Sequence, residues 1–153
     1  MRKHKQEITD RSVLESILEE ALIGRLGLCE DGIPYIVPVC FGYEDNCIYI
    51  HCAAEGKKID IIKQNNGVCF EAEAQAEIIP GEEACKWSVR YLSVIGFGKA
   101  YLINDNGEKI KGLNAIMRHY TGRSEQTYNE TGTKLATVIK IEIESMTGKK
   151  SKL

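Results

Sequence analysis

Apolar residues recur along this chain with two periods, one typical of helices and the other of strands. Three segments place them every three or four residues, as in a helix that buries one face. The apolar positions of these segments span Leu14–Leu22, Ile59–Ile62 and Ile110–Tyr120. The pattern predicts three helices, the first capped by Thr9 or Asp10 and the third by Asp105 or Asn106.

Six further segments are rich in β-branched and aromatic residues, which predicts strands. They are residues 25–29, 33–43, 47–52, 68–74, 89–103 and 135–143. Turn signals at Asp31-Gly32 and at residues 44–46 indicate hairpins, whereas residues 75–88 are typical of a loop. This succession favours a mainly β, α+β fold, an antiparallel barrel with flanking helices, over a doubly wound parallel sheet.

Pro38 stands in the middle of the second predicted strand. Proline has no N–H to donate to a neighbouring strand, so it is rare in the interior of a sheet. Its position indicates an edge strand, a bulge, or a place where something other than a strand lies alongside.

The composition is that of a globular protein and excludes several function classes. The chain has 43% hydrophobic and 27% charged residues, and its net charge of −2 does not favour nucleic-acid binding. No apolar run approaches the roughly 20 residues of a membrane span, and the basic start lacks the apolar segment of a secretory signal. We therefore expect a cytoplasmic protein with no nucleic-acid or membrane partner. We expect a single domain over residues 1–153, with flexible tails at 1–8 and 149–153.

The six cysteines include no C-x-x-C pair, and the three histidines lack the spacing of zinc ligands. We expect free thiols and no metal site. The final Ser151-Lys152-Leu153 spells a peroxisomal address, although a chance match at a lysine-rich end is the favoured interpretation.

The junction Gly56-Lys57-Lys58, at the predicted start of the second helix, is the best candidate site. A helix start carries unpaired N–H groups and a partial positive charge, so adjacent cations are favourable when an anion binds there. Two ammonium groups and these N–H groups suit a phosphate monoester. The alternative is a pair of solvated lysines on a short surface helix.

Other candidate residues lie on either side of this junction. His51, at the end of the third predicted strand, is suited to bond a ligand or transfer a proton near neutral pH, or is simply partnered. Trp87 and Arg90 offer an aromatic wall and a cation to a planar ligand, although packing is an equal interpretation for Trp87. No serine, cysteine or threonine lies in a nucleophile motif, which favours an enzyme whose cofactor carries the chemistry.

Several motifs in a fixed order resemble the pyridoxamine 5′-phosphate oxidase-related FMN-binding proteins, and most closely their nitroimidazole-resistance group. They are VPVCFGY (37–43), YIHCAAEGKKIDII (49–62), VCFEAE (68–73), PGEEACKWSVRYLSVIGFGKA (80–100), MRHYTG (117–122) and IKIEIESMTGK (139–149). The resemblance extends from about residue 6 to residue 150. The chain lacks the long C-terminal substrate segment of the true oxidases, so vitamin B6 oxidation is not expected.

The resemblance implies a split β-barrel homodimer with FMN at the interface between subunits. It also assigns roles by position: Val37, Pro38 and Val39 lie along the flavin ring system, with Tyr49 and His51 on the next strand. Lys57 and Lys58 then hold the FMN phosphate, Ser93 approaches the ring system, and Trp87 and Arg90 line the pocket from either subunit. These assignments name the cofactor-binding residues Val37, Pro38, Val39, Tyr49, His51, Lys57, Lys58, Trp87, Arg90 and Ser93, and the catalytic residue His51.

Two functions follow from the resemblance. The preferred one is an FMN-dependent oxidoreductase that reduces a small organic acceptor such as a nitroimidazole, with NAD(P)H as candidate electron donor and His51 beside the acceptor. The alternative is a protein that binds a flavin, a deazaflavin or haem without turnover, because one fold serves several functions.

Overall fold

Within residues 6–123, 127–128 and 130–152, which the computed structural model describes, the chain forms eight strands and four helices. The strands are β1 (Glu7–Ile8), β2 (Gly24–Glu30), β3 (Ile33–Val39), β4 (Gly42–Glu44), β5 (Cys47–Cys52), β6 (Gly67–Ile79), β7 (Ser88–Ile103) and β8 (Thr137–Ser151). The helices are α1 (Arg11–Glu20), α2 (Lys57–Gln64), α3 (Asn106–Thr121) and α4 (Glu130–Leu135).

The strands form one antiparallel sheet in the order β3-β2-β6-β7-β8-β5-β4, with β1 paired to the far part of β8. The end strands β3 and β4 follow each other in the chain, yet they are not hydrogen-bonded to each other. The sheet therefore curls into a barrel that stays open along one seam. This confirms the predicted antiparallel split barrel with flanking helices.

The core fills the inside of this barrel and continues under the helices. One cluster of buried residues includes Leu26, Phe70 and Ile141 from the sheet together with Ile17 of α1. A second, smaller cluster joins α3 to β5 and β8. The close approach of α3 requires Gly42, because a Cβ there would lie 2.4 Å from the backbone carbonyl carbon of Ala115.

The central strands are longer and more interrupted than the sequence predicts. The predicted strand 33–43 breaks at residues 40–41 into β3 and β4, and β8 runs eight residues beyond the predicted end, from 143 to 151. Residues 75–79, predicted as loop, continue β6 past an irregularity between Ala74 and Glu77. Gln75 has a φ of 55° there, so a bulge turns the strand without ending it.

The predicted tails are partly ordered. Glu7 and Ile8 pair with Lys149 and Gly148, and β8 continues to Ser151. Ile8 is buried, so the pairing also adds apolar contact to the core. The structure thus places residues 7–8 and 149–151 in paired strands, while flexible tails at 1–8 and 149–153 stay a prediction; residues 1–5 and 153 lie outside the described part of the chain.

Pro38 lies in β3, which forms an edge of the sheet. The edge position predicted from the missing N–H is confirmed. The six cysteines are free thiols, as predicted. None of the helices in the described ranges is long and apolar enough to cross a membrane.

Candidate functional site

The start of α2 is the position at which the sequence predicts an anion site. Strand β5 ends at Cys52, and Gly56 then precedes the helix with a φ of 133°, a conformation that side chains rarely adopt. No side chain caps this helix start. Because Ile59, Ile61 and Ile62 are buried, the helix is fixed against the core while its first N–H groups remain available to an anion.

The ammonium group of Lys57 lies beside the β2–β3 hairpin. Its Nζ is 3.7 Å from Oε2 of Glu30 and 5.2 Å from the ring centroid of Tyr35. The Lys57 side chain is 56% exposed, so these contacts are weak and accessible to water. The sequence analysis did not find Glu30 and Tyr35, since nothing local to them signals a contact with residue 57.

Lys58 is close enough to Cys52, the last residue of β5, to act on its thiol electrostatically. Burial raises the pKa of the Cys52 thiol, and the nearby Lys58 ammonium partly opposes that rise. Lys57 and Lys58 are the first two residues of α2, so a phosphate at its first N–H groups would have both lysines close by in the chain.

His51 is exposed on β5, one residue before the strand ends. It lies opposite Val138 of β8 and lines a cavity of about 300 Å³ between α3 and α4. The structure thus brings His51 and Lys58 to the same end of β5.

Tyr49, predicted to lie beside the cofactor, has its side chain in the core. It is 1% exposed and packs where α3 crosses β5, so that a Cβ on Gly112 would lie 2.7 Å from its ring. Burial raises its pKa. Its side chain is not available to a ligand in this structure, because α3 covers this face of β5. The alternation of residues along the strand does not show which face a helix covers.

Val37, Pro38 and Val39 lie on the edge strand β3. Val37 and Val39 pack against the core, whereas Pro38 faces outward. Within the described residues no strand pairs with the outer edge of β3. Its backbone groups are therefore free to contact a flat ligand laid along the seam of the barrel.

Three predicted site residues, Trp87, Arg90 and Ser93, lie toward the opposite end of β7; we call them the hairpin-end group. His51 is level with Val138 and Ile103 in the sheet, and Ser93 precedes Ile103 by ten residues. At ~3.3 Å per residue this is about 33 Å along the strand. Along β7, Ser93 and the level of His51 in the same chain are therefore ten residues apart.

The hairpin-end group is only loosely held within one chain. Arg90 donates a hydrogen bond from Nε to Glu77 at 2.9 Å, and Trp87 is mostly exposed. Ser93 lines a shallow hollow of about 400 Å³ beside Glu73 and Tyr91.

The outer face of β2, β3, β6 and β7 is an exposed apolar surface, which we call the sheet face. Ile36 is 68% and Phe97 56% exposed there, beside a groove of about 650 Å³. In its middle, Arg25 donates hydrogen bonds to Glu71 at 3.0 Å and to Glu73 at 2.8 Å. The sequence contains a signal for this surface. In residues 92–97, LSVIGF, most positions are apolar on both faces of the strand, a pattern that indicates a strand buried on both faces.

The electrostatics of the sheet face follow from this cluster. Hydrogen bonding to Arg25 lowers the pKa of Glu73, whereas burial raises the pKa of Glu71. Among the described residues, no group of three His, Cys, Asp or Glu side chains is arranged to hold a metal ion.

Comparison with known proteins places these features in context. The sequence model of the pyridoxamine 5′-phosphate oxidase family matches residues 10–150. A proposed 5-nitroimidazole antibiotic resistance protein from Bacteroides thetaiotaomicron has a similar structure, with 35% sequence identity and a TM-score of 0.82. The similarity covers 94% of this chain and 85% of that one.

Two structures of lower identity share the fold alone. A flavocytochrome from Azotobacter vinelandii has 18% identity and a TM-score of 0.82, over 100% of this chain and 72% of that one. A FAD and heme binding protein from Mycobacterium smegmatis has 19% identity and a TM-score of 0.84, over 97% and 74% of the two chains. The curated proteins gave no match.

Proposed function

The chain belongs to the pyridoxamine 5′-phosphate oxidase family, and on that premise we propose that it is an FMN-dependent oxidoreductase. We propose a small organic acceptor, such as a nitroimidazole or another nitroaromatic. The observation that carries the proposal is the start of α2, an uncapped helix end that follows Gly56 and has Lys57 and Lys58 as its first two residues.

The residues at this helix start fit the phosphate of FMN. The first N–H groups of α2 point at the anion, and each ammonium group adds a charge-assisted hydrogen bond of about 1.5–3 kcal/mol where water is excluded. Lys58, which acts electrostatically on Cys52 at the end of β5, would supply one of the two ammonium groups. Lys57 reaches the phosphate by leaving Glu30, which costs little because that pair is long and exposed to water.

The ring system of FMN fits along the open edge of β3. Pro38 offers a flat apolar surface without an N–H, and the unpaired edge of β3 supplies backbone groups for the polar rim of the ring. Val37 and Val39 keep their side chains against the core and so fix the strand in place.

FMN, when bound, would carry electrons from a reduced nicotinamide to the acceptor. For a nitro group the balanced reaction is R–NO₂ + NAD(P)H + H⁺ → R–NO + NAD(P)⁺ + H₂O. The imidazole of His51, exposed at the end of β5, would donate a hydrogen bond or a proton to the acceptor oxygen.

The separation of the site residues supports a homodimer. If the hairpin-end group also contacts FMN, it must come from a second copy of the chain, since about 33 Å of β7 separates Ser93 from the level of His51. The sheet face offers the surface for that contact, because exposed side chains such as Ile36 and Phe97 form a patch of the kind found at interfaces. Burial of the patch would leave Arg25 paired with its two carboxylates.

A protein that binds a cofactor without turnover is the second candidate. It is favoured by the shared fold with structures named as a flavocytochrome and as a FAD and heme binding protein. Steady-state oxidation of NAD(P)H in the presence of a nitroaromatic separates the two candidates. Retention of flavin without any turnover would favour the second.

The first experiment is the visible spectrum of freshly purified protein, with mass analysis of whatever a denaturant releases. The second compares FMN with riboflavin, which lacks the phosphate, in the double variant Lys57→Ala/Lys58→Ala. We expect FMN affinity to fall at least tenfold, from about 1.5–3 kcal/mol per lost contact, and riboflavin affinity to change little.

The matched control is Lys63→Ala, which removes a lysine from the last turn of the same helix. It should leave both affinities unchanged. Equal losses of FMN and riboflavin in the double variant contradict the phosphate assignment.

A further inference from the structure

We propose that the cavity beside His51 binds the oxygen-bearing end of the acceptor, with the hydroxyl of Tyr128 as hydrogen-bond donor. This inference rests on the proposed function, because it assumes that the acceptor lies next to His51. It adds a binding subsite and a residue that determines which acceptors are used.

The cavity is formed by four parts of the chain that meet at the end of β5. Its volume is about 300 Å³, at the lower end of the range for small-molecule sites. It is lined by His51, Leu113, Thr127, Tyr128, Gly132, Thr133 and Ala136. The space suits one substituted five- or six-membered ring and is too small for a dinucleotide.

The lining has a distinct chemical character. Of the described residues that form it, none is Lys, Arg, Asp or Glu, so this part of the lining offers no counter-ion to a charged ligand. Leu113 and Ala136 supply apolar wall, which favours a ring. The ligand class is therefore a neutral heteroaromatic or aromatic ring rather than a phosphate or a carboxylate.

Tyr128 provides the second observation that points to a ligand. Its hydroxyl oxygen is buried and has no hydrogen-bond partner in the described part of the chain. A buried hydroxyl without a partner is unfavourable, so a molecule that accepts a hydrogen bond would be held there. Burial raises the pKa of Tyr128, which keeps the proton on the hydroxyl at neutral pH and preserves the donor.

The two polar groups of the cavity fit one functional group. A nitro or carbonyl oxygen accepts a hydrogen bond from the Tyr128 hydroxyl, and His51 lines the same cavity from the exposed end of β5. Tyr128 would then act in binding, and His51 would remain the group for proton transfer.

The test uses Tyr128→Phe, which removes the hydroxyl and keeps the ring, and Leu113→Trp, which fills the cavity. Binding of 2-methyl-5-nitroimidazole is measured by ligand-observed NMR on the protein as purified. We expect the Kd to rise about three- to tenfold in Tyr128→Phe, the range for one neutral hydrogen bond. Binding should be lost in Leu113→Trp.

Two further measurements show whether a change in Kd comes from damage to the fold instead of from the cavity. Tyr101→Phe removes an exposed tyrosine hydroxyl from β7, outside the described lining of the cavity, and should leave the Kd unchanged. The melting temperature shows whether either variant is folded. Wild-type affinity in both folded variants, or no binding by the unsubstituted protein, overturns the inference.

The outcomes also separate this inference from the proposed function. A colourless preparation that binds the nitroimidazole through Tyr128 would refute the FMN assignment and support the cavity site. A yellow preparation in which neither variant alters nitroimidazole binding would refute the cavity site and leave the FMN assignment standing.

Discussion

Replacing Glu30 with Gln should strengthen the binding of FMN. Lys57 contacts the Glu30 carboxylate at 3.7 Å, and we propose that the same ammonium group binds the FMN phosphate. In the unsubstituted protein, FMN therefore competes with Glu30 for Lys57. Glutamine keeps the size and shape of the side chain but removes the charge, so the competition ends.

The size of the effect follows from the exposure of the pair. The Lys57 side chain is 56% and the Glu30 side chain 33% exposed, so water screens their attraction. Exposed ion pairs of this kind contribute about 0.2–1 kcal/mol. Because 1.4 kcal/mol corresponds to a tenfold change, the variant should bind FMN up to about fivefold more tightly.

The assay is a fluorescence titration of flavin-free protein with FMN and with riboflavin. Riboflavin affinity should not change, and the gain for FMN should shrink between about 50 mM and 500 mM salt as screening increases. Asp45→Asn is the matched control, since it removes the carboxylate of another lysine ion pair, with Lys111 at 2.7 Å, at the opposite end of β5. Asparagine tolerates the φ of 50° at that position.

Three results would refute the reasoning. Weaker FMN binding in Glu30→Gln would mean that the carboxylate supports the site instead of competing with it. An equal gain in riboflavin affinity would mean that Glu30→Gln does not act through the phosphate. An equal gain in FMN affinity in Asp45→Asn would mean that the effect comes from the net charge of the protein.

Two further predictions concern the fold that holds the site. Gly42→Ala should lower the free energy of unfolding by about 1–3 kcal/mol in a urea titration, because the new Cβ would lie 2.4 Å from the backbone of Ala115. The control Gly67→Ala, where a Cβ meets only a side-chain atom at 3.4 Å, should lower the free energy of unfolding by less. Equal losses in the two variants would contradict tight packing of α3 against Gly42. The second prediction concerns the pH dependence of stability. Hydrogen bonding to Arg11 lowers the pKa of Glu15 below its usual 4.5. The Glu15 carboxylate therefore stabilises the fold above about pH 4.5, and this stabilisation is lost as the pH falls through the lowered pKa. Glu15→Gln should therefore lose less stability than the unsubstituted protein between about pH 5 and pH 3, and an identical loss would contradict the assignment.

Much of the local structure was determined by the sequence. Asp10 caps α1 by accepting a hydrogen bond from the Ser12 N–H at 2.9 Å, and Asp105 caps α3 in the same way through Glu108. The turn Asp31-Gly32 has φ values of 51° and 81°, as a tight hairpin turn requires. Each of these features depends on groups within a few residues of one another. For that reason the sequence pattern was sufficient to predict them.

The candidate site was predicted only where it is local. Gly56, Lys57 and Lys58 are consecutive, so the helix start that they form is visible in the sequence. The partners of Lys57 are not, because Glu30 and Tyr35 reach it through the packing of α2 beside the β2–β3 hairpin.

The tertiary structure decided which side chains face a ligand and which of them can meet. Alternation along a strand separates two faces but does not say which one is covered, so the burial of Tyr49 under α3 could not be predicted. Strand register placed Ser93 about ten residues along the sheet from the level of His51, and Tyr128 lines the same cavity as His51. Contacts between distant parts of the chain depend on the closure of the whole sheet, and for that reason the sequence determined the elements of this protein while the fold determined its pockets.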